Sequence, residues 1–119
     1  MQQEIREYLK ERGWDKLVPV DLAKSIMIEG AELLENFQWN NYSKKELIKN
    51  KEIFDNVKKE LADVMIYALE MAVILDLDVE KIISEKLQKA REKYPVNKVK
   101  GNSKNYYSIK QEYRRKGKN

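Results

Sequence analysis

Between Leu61 and Leu75 only Asp63, Tyr67 and Glu70 are anything other than Ala, Val, Leu, Ile or Met. Through and ahead of that stretch, Phe54, Val57, Leu61, Val64, Ala68, Met71 and Leu75 recur in steps of three and four. That is the seam of a helix packed on other helices, and small Ala68 lets a neighbour come close. A helix apolar around most of its circumference is buried on several sides. The segment from about 51 to 75 is therefore predicted as a central helix that others must cover. Turn residues are scarce, with 4 Gly and 2 Pro in 119 residues, which argues against a many-stranded β fold. Helices are expected over about 2–12, ending at Gly13; over about 22–38, with Asp21 as N-cap and Leu22, Ile26, Leu33 and Phe37 at helical spacing; and over about 79–93, with Asp78 as N-cap. Tyr94-Pro95 stops the last of these, because Pro cannot continue a helix. Asn40-Asn41-Tyr42 forms a break, after which Ser43-Lys44-Lys45-Glu46 has the form of a capping box that starts a short helix. No strand alternation or internal repeat is visible. The expected fold is all-α, a bundle of about four helices with 22–38 and 51–75 as an antiparallel hairpin.

Composition then narrows the chemistry. The chain has no Cys, so disulfides, thiolate metal sites and cysteine nucleophiles are excluded. It has no His, so a Ser-His-Asp triad, His-ligated zinc or haem and a Glu-x-x-His di-iron motif are excluded as well. Catalysis falls to carboxylates, Lys, Arg, Tyr, Ser or Thr. No apolar run approaches the length of a membrane span, the N-terminus has no signal-peptide apolar region, and a cytoplasmic location is expected. Charge is uneven. Residues 96–119 carry eight Lys or Arg against one acid, Glu112, whereas 1–95 carry 16 basic and 19 acidic residues. This divides the chain into a helical domain over 1–95 and a basic C-terminal tail over 96–119. Such tails are usually solvated, and the first part of this one is a candidate to close over an anionic ligand.

Two acidic pairs occupy positions meant for apolar residues. Glu29 and Glu32 are three apart on the second helix, and Glu60 and Asp63 three apart on the third. Three-residue spacing puts both side chains of a pair on one helix face, where like charges repel. Glu29 continues the step 22, 26, 29, 33. Glu60, Asp63, Tyr67 and Glu70 fall within an arc of about 80°, at 100° per residue, on an otherwise apolar helix. In an antiparallel hairpin, Glu32 lies about 10 Å before Trp39 and Glu60 about 13 Å after Lys51, at 1.5 Å per residue. The four carboxylates then converge at similar depth. Four anions in one pocket cannot all stay ionised unaided. A hard divalent cation resolves this, and all-oxygen ligation suits Mg²⁺ or Mn²⁺. An isolated E-x-x-E is an ordinary solvated face; two such pairs in apolar segments favour a metal site.

The run Ile28-Glu29-Gly30-Ala31-Glu32-Leu33-Leu34-Glu35-Asn36-Phe37-Gln38-Trp39, followed by Glu60-Leu61-Ala62-Asp63-Val64-Met65-Ile66-Tyr67, resembles the E-x-x-E…E-x-x-D pattern of the MazG-like all-α nucleoside triphosphate pyrophosphohydrolases. The dCTP pyrophosphatase-like branch is the most similar. Arg12-Gly13-Trp14 partly matches its R-D-W element, Lys93-Tyr94-Pro95 its K-Y-P element, and Ser103-Lys104-Asn105-Tyr106 more loosely its C-terminal element. The resemblance covers about residues 4–107. It implies metal ligation by Glu29, Glu32, Glu60 and Asp63, and Mg²⁺-dependent hydrolysis of (deoxy)nucleoside triphosphates to monophosphate and pyrophosphate. It also implies a homodimer or homotetramer with sites at subunit interfaces, and a role in nucleotide-pool control or sanitation. The chain departs from the branch at Ile5, where mammalian members have a base-contacting His, at Ala90, where Asn is usual, and in a shorter loop after Trp14. These departures bear on base selectivity and leave the metal ligands intact.

The remaining candidates follow from position. Glu35, one turn beyond Glu32, is placed to accept the proton of an attacking water; a surface acid is the competing reading. Trp14 and Trp39 border the proposed pocket and are assigned to stacking on the base, as the branch implies. Tyr67 is a candidate partner for sugar or base, and Lys86, Lys104 and Tyr106 for the phosphate tail. Glu70 is read as solvated or as a subunit contact. No membrane or nucleic-acid partner is expected. A different class of function remains open: a non-catalytic helical module that binds nucleic acid or a protein through its basic tail, with salt-sensitive binding and no metal dependence.

Overall fold

Ile5 and Leu9 stand one helical turn apart in a segment that is otherwise mostly polar, and both are buried. They hold α1 (Gln2–Glu11) against α4 (Lys51–Ile74), packing with Val73 and flanked by Leu17, Leu69 and Ile74. In the computed structural model, residues 1–100 and 107–117 are described, together with the backbone of 105 and 106. The described residues form seven helices and no strand, as the sequence leads one to expect. None of those helices is long and apolar enough to cross a membrane.

Chain punctuation is local and readable in hydrogen bonds. After α1, Gly13 takes φ 68°. Its N–H donates to the Lys10 carbonyl at 3.1 Å, and that of Trp14 to the Leu9 carbonyl at 2.9 Å. This pair of bonds is a Schellman closure, which needs a left-handed residue that glycine adopts without strain. The second helix, α2 (Pro19–Glu35), starts earlier than expected. Val18 is its N-cap and Pro19 supplies a pre-set φ at the first position, so Asp21 sits in the first turn instead of capping it. The helix also stops earlier, at Glu35, because the Asn36 amide turns back on the Leu33 carbonyl at 3.1 Å and competes with further helix. The Ser43 cap is present: Ser43 Oγ accepts from the Glu46 N–H at 3.2 Å and opens α3 (Lys44–Lys49). Asn50 Oδ1 then accepts from the Ile53 N–H at 3.3 Å to open α4. That long helix ends in a second Schellman closure, with Asp76 at φ 54° and the Leu77 N–H on the Ala72 carbonyl at 2.8 Å.

Helices α2 and α4 make the main packing pair of the chain. Asn56 Nδ2 donates to Asn36 Oδ1 at 2.7 Å, while Glu29, seven residues before Asn36, meets Asp63, seven after Asn56. Rising numbers on one helix meet falling numbers on the other, so the expected antiparallel hairpin is formed. The helix α1 also packs on α4, with Arg6 3.7 Å from Asp76 just beyond the end of α4.

Residues 1–78 pack as one unit and 79–119 as a second. The second contains α5 (Val79–Lys93), α6 (Val96–Val99) and α7 (Asn105–Arg115). The basic stretch read from sequence as a solvated tail is thus helical in part. Tyr113 on α7 donates through its hydroxyl to the Glu92 carbonyl at 3.3 Å, and Lys93 Nζ lies 5.3 Å from the Tyr113 ring centre. That contact joins a cation to an aromatic face and was not legible from charge alone.

Candidate metal centre

The hairpin faces Glu29 and Glu32 of α2 toward Glu60 and Asp63 of α4. One carboxylate oxygen from each of Glu29, Glu60 and Asp63 lies within 4.8 Å of the other two. Glu32 stands beside this trio, within hydrogen-bonding reach of both Glu29 and Glu60. All four side chains are half-buried. Glu29 Oε2 and Glu60 Oε2 are fully buried and lack a hydrogen-bond partner among the described residues. Burial pushes the Glu29 carboxyl above its ordinary value, helped by a hydrogen bond with Glu32 and by the charges of Glu32, Asp63 and Glu60. Glu60 is raised for the same reasons, burial first, then Glu32, Asp63 and Glu35.

These features fit a hard divalent cation. The donors are all carboxylate oxygens, and two of them are buried acceptors without donors. The repulsion that raises both glutamates is what a bound cation relieves.

Around this centre the structure sorts the other candidates. Glu35 is exposed at the edge, close enough for its charge to raise Glu60. Tyr67 is one turn past Asp63, half-buried, its hydroxyl pushed upward by burial and by the charges of Glu29, Glu70 and Asp63. Trp14 lies edge-on to Tyr8 with ring centres 6.0 Å apart, and is about half exposed. Trp39 is 84% exposed and follows Asn36, which is level with Asn56 on α4. Lys86 belongs to α5 in the second unit. Lys104 and the side chain of Tyr106 lie outside the described residues.

Two positions beside the carboxylate cluster were not read from the sequence. Glu70 is 5% exposed, not solvated. Tyr8, on α1, joins it in lining a cavity of about 410 Å³ between α1 and α4, which Asp63 and Tyr67 also line. Glu70 had a signal, since it shares the narrow polar stripe of Glu60, Asp63 and Tyr67. Tyr8 had none, because its place in the cavity wall depends on where α1 lies.

The MazG-like family model matches residues 24–109. Rat (Rattus norvegicus) dCTP pyrophosphatase 1 is 29% identical over 106 residues, which make up 87% of this chain and 62% of that protein. The mouse (Mus musculus) protein of the same name gives the same figures. The chain thus spans 62% of the length of these curated relatives. A crystal structure of a pyrophosphatase from Archaeoglobus fulgidus aligns with a TM-score of 0.68 at 38% identity, over 78% of this chain and 87% of that one.

Proposed function

Because the chain belongs to the MazG-like family, we propose that it is a nucleoside triphosphate pyrophosphohydrolase, cutting a (deoxy)nucleoside triphosphate at the α-phosphorus into the monophosphate and pyrophosphate. The observation that carries this reading is the convergence of Glu29, Glu60 and Asp63, with two buried oxygens that lack donors. The names of the rat, mouse and archaeal relatives support the same activity. Glu29, Glu32, Glu60 and Asp63 would hold Mg²⁺, with Mn²⁺ as the substitute. When bound, the cation supplies positive charge to the triphosphate oxygens and acidifies the water nucleophile.

The chain's own residues do the remainder. Glu35, exposed beside Glu60, accepts the proton of the attacking water. As oxygen bonds to the α-phosphorus, the bond from phosphorus to the α–β bridging oxygen breaks and pyrophosphate leaves. Such transfers need positioning and charge more than covalent chemistry. Tyr67 bonds sugar or base, and Trp14 stacks on the base. Trp39, exposed beyond the end of α2, is the second stacking partner. Exposed Met27, Ile28 and Leu34 on α2 and Leu61, Met65 and Ile66 on α4 support a homodimer or homotetramer. A cytoplasmic location goes with this reading.

A turnover panel tests this. The protein is incubated with Mg²⁺ and each canonical and several modified nucleoside triphosphates, and products are resolved by chromatography. Monophosphate and pyrophosphate are expected, with a loss of about 10²–10³-fold in Asp63→Asn, the worth of several kcal/mol of transition-state charge stabilisation. Diphosphate and phosphate as products, or no turnover with either Mg²⁺ or Mn²⁺, would contradict the reading.

A further inference from the structure

Glu32 and Glu35 occupy the weakest part of α2. Glu29 lies six residues inside the end of the helix, but Glu32 is three residues from that end and Glu35 is the last residue. The closing bonds there are poor. The Asn36 N–H reaches the Leu33 carbonyl at 3.4 Å, and the Gln38 N–H reaches the Glu35 carbonyl at 3.3 Å. Both are three-residue steps, near the limit of a hydrogen bond. A helix end closed in this way frays, and a frayed turn would not hold a ligand or a base with the precision that catalysis needs.

Asn36 answers this with its side chain. Its Nδ2 donates back to the Leu33 carbonyl at 3.1 Å and to the Glu32 carbonyl at 3.4 Å. With the nitrogen committed to α2, Oδ1 accepts from Asn56 Nδ2 of α4 at 2.7 Å. The bridge stands in register with the acids. Four residues back along α2 and four forward along α4 come Glu32 and Glu60, which are within hydrogen-bonding reach of each other. Three further along each helix come Glu29 and Asp63, which form the carboxylate trio with Glu60. The amide pair is thus the next rung of the same ladder, placed where α2 ends.

We propose that Asn36 and Asn56 are positioning residues: their bridge pins the last turn of α2 to α4, and so holds Glu32 for the cation and Glu35 for the water. The proposal deepens the function proposed above and rests on it for the roles of those two glutamates. Asn56 is exposed, and one neutral hydrogen bond at the surface adds little to the stability of the whole chain. Alanine in its place is the better helix former and offsets part of that loss. The bridge therefore acts on the site more than on the fold. Removing a group that directly orients a metal ligand typically weakens the metal by about ten- to a hundredfold. This bridge acts through the backbone, so a smaller effect is expected, about three- to tenfold, the worth of one hydrogen bond.

The test titrates the full chain with Mn²⁺, without nucleotide, and reads free Mn²⁺ by electron paramagnetic resonance. Asn56→Ala is expected to raise the Mn²⁺ dissociation constant by about three- to tenfold, with a metal-free Tm within about 4 °C of wild type. Asn56→Gln keeps the donor on a longer arm and should recover part of the affinity. Asn36→Ala should weaken binding as well, and adding Asn56→Ala to it should cost nothing more, since the bridge is already gone. A merely structural role would lower the Tm and leave the Mn²⁺ affinity of the folded protein unchanged. Unchanged affinity in folded Asn56→Ala, or full additivity of the two substitutions, overturns the proposal. If Asn56→Ala does not fold, Asn56→Leu, apolar and similar in size, takes its place under the same criteria; if neither folds, the bridge is structural and the proposal falls. A wild type that binds no Mn²⁺ contradicts the metal reading separately. Amide hydrogen exchange then decides: faster exchange in Asn56→Ala confined to residues 32–38 supports the bridge as a pin, and unchanged exchange overturns it.

Discussion

Glu29 and Glu60 show what the carboxylate cluster does to the protein without metal. Their pKa values rise from the unfolded value of 4.5, burial being the largest cause. The folded state therefore holds these protons more tightly than the unfolded chain. The stabilisation this brings is fully present below the unfolded value and is lost as pH rises through the folded one. Melting in a chelator is accordingly expected to give a higher Tm near pH 5 than near pH 7.5, and Mg²⁺ is expected to close that gap by raising the Tm at the higher pH. A metal-free Tm that climbs from pH 5 to pH 7.5 would count against the arrangement. The four acids were legible in the sequence because their spacing and apolar surroundings are properties of single helices. The burial of Glu70 and the place of Tyr8 were not, since both are created by α1 lying on α4.

Helix ends carry the local detail. The sequence reading put the start of α2 at Asp21, but a β-region Val18 and a Pro at the first position begin the helix earlier. Ser43 was legible because a cap and its N–H acceptor relation lie within four residues. The closure after α4 was harder to read, since it uses Asp76 where glycine is usual. A left-handed non-glycine residue costs about 1 kcal/mol, and an exposed ion pair such as Arg6–Asp76 recovers little of it. Asp76→Gly is therefore expected to raise stability by roughly 0.5–1 kcal/mol, less than the full strain because glycine also frees the unfolded chain. Urea unfolding followed by circular dichroism measures this. A loss of stability would mean that the Asp76 side chain matters more than its backbone conformation.

For the molecule as a whole, the apolar circumference of α4 reads as a demand for cover, and one chain meets that demand only in part. Ile5, Leu9, Leu22, Ala72 and Val73 are buried, whereas Met65 on α4 and Met27 on α2 are 58% and 73% exposed. The all-α class and the hairpin followed from periodicity alone. The helices within 96–119 did not, because net charge masks the spacing of Tyr113 and its neighbours. The candidate metal centre sits on that hairpin, between the two helices that pack most closely, and the central claim concerns the bond broken there. Hydrolysis in ¹⁸O-labelled water, with products separated and weighed by mass spectrometry, tests it most directly. Attack at the α-phosphorus predicts one ¹⁸O in the nucleoside monophosphate and none in the pyrophosphate. Label in the pyrophosphate, or in free phosphate, would contradict the account.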